Sequence, residues 1–243
     1  MAERDGVGRL LCAIDTVELG AARGLARRLK DQVAGIKLGL EFCTANGPEG
    51  VQAVAAEGSP VFLDLKLYDI PNTVAGAVRA AGAMRPAMLT IHALGGSAMM
   101  RAAMGAAHRV AAASGGARPK VIAVTVLTSM DEEDLETLGL RGDVSEAVSR
   151  LAGLAQDSGV DGVVCSAREL DRLRARCGPD FLLVVPGIRP AWSSADDQKR
   201  IVTPAEAIRR GADFLVVGRP ITQASDPVAA AGRIADEMAG APA

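Results

Sequence analysis

The sequence predicts an α/β fold, a closed (β/α)8 barrel of the TIM type, and three observations predict it. Eight short apolar runs recur along the chain, most followed by a stretch of helical periodicity, as repeated βα units around a mostly parallel sheet require. Eight such units in 243 residues is the usual size of this barrel. Polar or ionisable residues stand at, or just after, the C-terminal end of run after run: Asp15, Lys37, Asp64 with Lys66, His92, Thr128, Ser166, Arg189 and Arg219. In a barrel those positions converge on one mouth, where enzymes of this fold keep their active sites. An open doubly wound sheet is the competing arrangement. It usually carries a glycine-rich phosphate loop straight after its first strand, and here that strand runs into Asp15-Thr16-Val17-Glu18. No break in composition marks a linker, so a single barrel domain over residues 1–243 is expected.

Taken in order, Leu10 to Ile14 is the first strand and Leu19 to Leu29 the first helix, with arginines in its last turn to suit the dipole. Val33 to Leu38 is the second strand, and Pro48 to Ala56 forms the second helix. The third strand opens at Val61; Pro71 and Asn72 stop it, and a helix runs from Asn72 or Thr73 to about Ala83. Met88 to His92 is the fourth strand, followed by a turn at Gly95 and Gly96 and an Ala-rich helix to about Ala113. The fifth, Val121 to Leu127, leads to an acidic surface excursion over residues 130–144 with a short helix, then to a helix from Ser145 through Ala155. Val160 to Cys165 and Phe181 to Val185 are strands six and seven, with a helix to Arg176 between them. A polar loop from Pro190 to Val202 precedes Thr203-Pro204-Ala205-Glu206, a strong helix start with Thr as N-cap, Pro at the first helical position and Glu three residues after the cap. Asp213 to Val217 is the eighth strand, and Asp226-Pro227 begins the last helix, through Met238.

Composition excludes several classes of function. The chain is 49% hydrophobic, enough for a full core. A formal charge of −2, with one Trp and one Tyr, provides no basic surface interleaved with aromatic rings, so nucleic-acid binding is not expected. Cys12, Cys43, Cys165 and Cys177 lack metal-like spacing and are expected as free thiols of a reducing cytoplasm. With two His residues and no paired His spacing, a metal centre has little support. No secretory leader and no membrane span is expected, which predicts a cytoplasmic protein.

The chemistry is concentrated in residues 61–73. Val61, Phe62 and Leu63 run directly into Asp64, Lys66 and Asp69. Strand alternation puts Asp64 and Lys66 on one side; Asp69 lies where the chain is turning, and its direction stays open between completing the array and pointing away. Taken alone, Asp-x-Lys is as consistent with a solvated strand end. Lys37, on a short apolar strand, needs a counter-charge or a polar site for its ammonium. His92 is either a direct ligand contact or a structural group lining the mouth, and His108, within an Ala-rich helix, is a surface or packing residue.

The stretch Asp64-Leu-Lys66-Leu-Tyr-Asp69-Ile-Pro-Asn-Thr73 closely resembles the signature of the orotidine 5′-phosphate decarboxylase family. The resemblance runs over essentially the full length: Ala13-Ile-Asp15, Ile36-Lys-Leu-Gly39, Leu127-Thr-Ser129, Pro186-Gly-Ile-Arg189-Pro, Asp197-Gln-Lys-Arg-Ile-Val-Thr-Pro204 and Val217-Gly-Arg219-Pro-Ile. Ile14 stands where many members have Leu, and Leu94 where a small residue is frequent; neither departure removes a functional group.

The resemblance implies a cofactor-independent decarboxylation that yields UMP and CO₂ in pyrimidine synthesis, with Lys66 as proton donor to the pyrimidine C6. It places Asp64 against the departing carboxylate, and Asp69 likewise from the neighbouring subunit of a homodimer. Lys37 links the ribose hydroxyls to the acids, and Asp15 accepts from a ribose hydroxyl. Thr73 falls within the ligand-binding signature, Thr128 lies near the pyrimidine, and Arg189 belongs to the binding loop. Gln198, the amide of Gly218 and Arg219 resemble the phosphate contacts, and an arginine there can fork onto phosphate oxygens. Two other readings compete. Mg²⁺-dependent sugar-phosphate lyases of the wider superfamily share Asp-x-Lys-x-x-Asp, but typically carry Glu where this chain has Lys37, and they lack Ile-Pro-Asn-Thr. A non-enzymatic nucleotide sensor would not need a lysine flanked by two acids.

Overall fold

The computed structural model describes residues 6–190, 192 and 202–240. After a 3-10 turn at Gly6–Arg9 the chain alternates strand and helix: β1 (Leu10–Ile14), α1 (Leu19–Leu29), β2 (Gly35–Leu38), α2 (Leu40–Ala55), β3 (Val61–Leu67), α3 (Pro71–Gly82), β4 (Met88–His92) and α4 (Gly96–Ser114). Then come β5 (Lys120–Val124), α5 (Glu132–Thr137), α6 (Val144–Asp157), β6 (Gly162–Val164), α7 (Leu170–Cys177), β7 (Leu182–Pro186), α8 (Pro204–Arg209), β8 (Phe214–Val217), α9 (Arg219–Thr222) and α10 (Pro227–Ala239). The strands follow one another around a closed barrel in the order β1 to β8, which excludes the open sheet. Among the described residues no helix is long and apolar enough to cross a membrane.

The chain divides into two compact units, residues 1–64 with 185–243, and residues 65–184. In the first, β1 is buried along its whole length and pairs in parallel with β2 and β8, matching Ala13 with Lys37 and Cys12 with Val217. Leu38 of β2 lies opposite Leu63 of β3. Leu10, Ile14, Leu29, Ile36, Leu38, Phe42 and Leu63 are fully buried, and each such side chain contributes roughly 1.5–3 kcal/mol of transfer free energy. The second helix begins earlier than predicted, at Leu40, because Phe42 docks in this core. The expected start survives as a break, since Gly47 has φ 61 and Pro48 opens a second helical stretch after it. The Thr203 hydroxyl accepts from the Glu206 amide at 3.2 Å, the cap its sequence predicts, and Asp226 caps α10 through the amides of Val228 and Ala229.

In the second unit β4, β5, β6 and the start of β7 pair in parallel in sequence order. Leu89, Ile91, Met99, Met100 and Ile122 form its fully buried centre. Two predicted strands are shorter than their apolar runs. β5 ends at Val124, past which Thr125 brings both its hydroxyl, at 3.0 Å, and its more distant amide, at 3.5 Å, to the Val164 carbonyl, and β6 keeps three residues. Close approach of α3 to α4 rests on Gly82, where an added Cβ would lie 2.6 Å from the Val110 methyls. Pro71 at the first helical position starts α3 one residue before the predicted Asn72. Asp131 and Asp134 form a reciprocal capping box on α5, the short helix of the acidic excursion.

Candidate active site

The first unit brings together three of the predicted site residues. Lys37 projects from β2, and its Nζ donates to Asp64 Oδ2 at 3.1 Å, with both side chains only 13–14% exposed. The same ammonium stands 3.9 Å from Asp15 Oδ1, at the more open end of β1. This satisfies the requirement that a lysine on a short apolar strand find a counter-charge. Gly39 leaves room for the arrangement, since a Cβ there would sit 3.4 Å from both Asp15 Oδ1 and Lys37 Nζ. Four free cysteines match the sequence expectation. Burial, and then the charge of Asp15, push the Cys12 thiol up to about 12 against the opposing effect of Lys37. A neutral thiol of that kind is no nucleophile at neutral pH.

The remaining residues of this unit lie where their strands end. Arg189 is half-buried beyond β7, after Gly187, whose φ of 75 makes a left-handed turn. Gly218 follows β8, with its α-carbon close enough to β1 that a Cβ would sit 3.6 Å from Ala13. Arg219 is exposed at the first position of α9, a short helix that the sequence reading missed because Gly218-Arg219-Pro220 looks like a plain loop. Gln198 and the polar loop around it lie outside the described residues.

In the second unit, Lys66 departs from the strand rule on which its direction was predicted. Its φ is 49, one of two left-handed non-glycine residues among those described. Such a conformation costs an L-residue roughly 1–2 kcal/mol and is found where surrounding structure enforces it. Lys66 donates its backbone N–H to Thr90 Oγ1 at 2.8 Å. Two positions further along β4, His92 is half-buried against the Tyr68 ring, with centroids 5.5 Å apart and a 33° tilt. Its Nδ1 is buried without a hydrogen-bond partner among the described residues. Burial, and secondarily the charge of Lys66, hold the imidazole below its ordinary pKa, so it is neutral at physiological pH.

Asp69 sits on an exposed turn, and its Oδ1 accepts from the Ile70 amide at 2.6 Å. Thr73 is exposed in the first turn of α3, and Thr128 is exposed past the end of β5. His108 is on the exposed face of α4. Sequence reasoning missed Thr90. The available signal was a hydroxyl alternating with His92 on the same face of an otherwise apolar strand.

Chemically, the first unit presents a lysine held between acids, and the second a half-buried ammonium on an enforced backbone beside a neutral imidazole. Comparison with known proteins identifies the family. A profile described as the orotidine 5′-phosphate decarboxylase / HUMPS family matches residues 8–234. An orotidine 5′-phosphate decarboxylase of Paramagnetospirillum magneticum is 59% identical over 226 residues, covering 93% of this chain and 96% of the relative. One of Rhodospirillum rubrum is 60% identical over 229 residues, covering 94% of this chain and 93% of the relative. Among solved structures, an orotidine 5′-phosphate decarboxylase of Lactobacillus acidophilus superposes with a TM-score of 0.84 at 37% identity, over 95% of this chain and 98% of its own. With the family profile spanning nearly its whole length and relatives this similar end to end, the chain belongs to the orotidine 5′-phosphate decarboxylase / HUMPS family.

Proposed function

We propose that this protein converts orotidine 5′-phosphate to UMP and CO₂ in pyrimidine synthesis, without a cofactor. The observation that carries the reading is the Lys37–Asp64 ion pair placed two residues before Lys66 on β3. Breaking the bond from C6 to the carboxylate leaves an electron pair in an orbital the ring does not delocalise. The protein must therefore stabilise that carbanion more than it stabilises the substrate carboxylate. The Lys66 ammonium does so by its charge and then gives a proton to C6, taking one back from solvent. Asp64 faces the departing carboxylate and disfavours it relative to neutral CO₂. Lys37 bridges Asp64 to the ribose hydroxyls, and Asp15 accepts from one of them.

Thr73, Thr128 and Arg189 contact the nucleotide, while Gln198, the Gly218 amide and Arg219 hold the phosphate, where a guanidinium suits anionic oxygens. Asp69 serves the partner's site in a homodimer. The exposure of Tyr68 (60%) and Ile70 (66%) on either side of it supports this, because a second copy would cover both. A cytoplasmic location follows from the substrate.

The test is turnover of orotidine 5′-phosphate with chelator present, followed as loss of its ultraviolet absorbance. Lys66→Ala is expected to fold, to keep UMP binding and to lose at least about 10⁴-fold in kcat. Full activity in that variant sinks the assignment of Lys66. Activity on a keto-sugar phosphate that vanishes with chelator would sink the substrate.

A further inference from the structure

Lys66 owes its aim to a backbone state that the sequence of β3 does not favour. A strand residue has φ near −120°, whereas Lys66 has φ 49, and that rotation changes the direction in which its Cα–Cβ bond leaves the chain. An L-residue adopts this state where neighbours enforce it. The Lys66 amide donates to Thr90 Oγ1 at 2.8 Å, and Thr90 is 0% exposed. A hydroxyl wholly removed from water is costly in an apolar strand, where valine fills the same volume without that cost, unless it has a partner to serve. Leu89 and Ile91, also 0% exposed, occupy the opposite face of β4; Thr90 and His92 share a face, on which Thr90 accepts from the Lys66 amide and His92 lies within reach of the Lys66 charge.

We propose that Thr90 is a positioning residue for Lys66. By accepting the Lys66 amide, its buried hydroxyl selects the left-handed backbone and thereby aims the ammonium. His92, neutral two residues along, completes that face without placing a second cation beside the lysine. The inference rests on the reading of Lys66 as proton donor and concerns how that donor is held.

Serine and cysteine are close in size, but the serine hydroxyl is a good acceptor and the thiol a weak one. Thr90→Ser, Thr90→Cys and Thr90→Val are compared for kcat, KM, UMP affinity and thermal midpoint. The serine variant is expected within about 3-fold of the parent kcat. Cysteine is expected to lose at least about 10-fold and valine at least about 30-fold, with UMP affinity unchanged, since an ångström of misplacement is felt in rate before binding. Equal kcat for serine and cysteine, or parental kcat in a folded valine variant, overturns the proposal. If valine does not fold, the serine and cysteine pair decides alone. Lys66→Ala, assayed in parallel, separates the two levels: parental turnover there removes the donor role, while its inactivity together with indifferent Thr90 variants removes only the positioning role.

Discussion

Two ion pairs, at opposite ends of their strands, are built to different standards. At the N-terminal ends of β5 and β6, Arg118 grips Asp161 in a fork, Nη1 to Oδ2 at 2.7 Å and Nη2 to Oδ1 at 2.5 Å. Asp161 Oδ2 also accepts the Val121 amide at 2.7 Å, and its backbone pairs with Val121 and Leu182, so one residue ties the starts of three strands. Near the C-terminal end of β2, Lys37 brings a single N–H to Asp64, midway along β3, at 3.1 Å among the described residues, and only approaches Asp15 beyond the end of β1. An ammonium has three N–H groups, so Lys37 keeps donors to spare for a hydroxylated ligand. Satisfied polar groups stabilise; unfinished ones are available for chemistry. That division matches the general separation in this fold between a stabilising N-terminal face and a catalytic C-terminal one.

The comparison breaks most visibly if both pairs respond alike to loss of the cation. Lys37→Met is expected to lower kcat/KM by about 10²- to 10³-fold, as removal of one preorganised donor does, with a smaller thermal effect than the next variant. Arg118→Met should do the reverse. Removing the forked partner of a largely buried carboxylate costs roughly 2–3 kcal/mol, or about 5–10 °C in Tm, with kcat/KM within about 2-fold of the parent. A Lys37 variant that loses stability and keeps activity would erase the distinction.

The Arg118 pair also has a pH signature. Burial pushes the Asp161 carboxyl up, but the Arg118 hydrogen bond, the Val121 amide and the charges of Arg118 and Lys120 outweigh it and leave the pKa below its ordinary value. A depressed folded-state pKa gives stability that is full above the unfolded value and is lost as pH falls through the folded one. Denaturation of Arg118→Met and parent should therefore converge in acid. A penalty that stays constant down to the acid limb would assign the loss to packing of the arginine stem instead.

How much of this was legible in the sequence follows the range of the forces involved. Eight strands, the Thr203 cap and the start of α3 are local matters of periodicity and turn chemistry, and the sequence carries them. The need of Lys37 for a counter-charge was also legible, because a charge on an apolar strand has few solutions. That Asp64 supplies it depends on β2 lying beside β3, which alternation does not encode. The direction of Lys66 was read from a period of two that assumes an extended backbone, and φ 49 is not one, so alternation does not decide it. Thr90 went unnoticed because its alternation with His92 in Met88-Leu-Thr-Ile-His92 marks a shared polar face but not the partner, which is known only once Lys66 is seen donating to it. Asp69 shows the same limit, for its immediate partner is the amide of the next residue.

A smaller effect sharpens the comparison at Glu169, which follows β6 and is 6% exposed. Its Oε2 is buried without a hydrogen-bond partner among the described residues, and burial pushes its pKa up against the bonds from Ser166. A raised folded-state pKa means that the stability this group contributes is full below the unfolded carboxylate value and is lost as pH rises through the folded one. Glu169→Gln keeps an oxygen for the Ser166 amide and removes the charge. It should raise Tm by about 2 °C at pH 8, with the gain vanishing near pH 4. An unchanged pH profile would mean that Glu169 finds compensation beyond Ser166.

The smallest effect belongs to an ion pair of the surface type. Glu57, after α2, accepts from Arg23 Nε at 2.7 Å and from Arg27 Nε at 2.8 Å, both on α1. The Arg27 bond, then the Arg23 bond, push its carboxyl from 4.5 down to about 2. The geometry rivals that of Arg118 with Asp161, and the Glu57 side chain is itself covered, but both arginines stand in solvent, where water and salt screen the attraction and ordering long side chains offsets it. The sign is that of a depressed acid: stability is present above 4.5 and lost as pH falls toward 2. Glu57→Gln is therefore expected to lower Tm at pH 7 by at most about 2 °C, to do so less in high salt, and to match the parent at the acid limit. A loss as large as that of Arg118→Met would show that hydrogen-bond geometry, and not exclusion of water, sets what an ion pair is worth in this barrel.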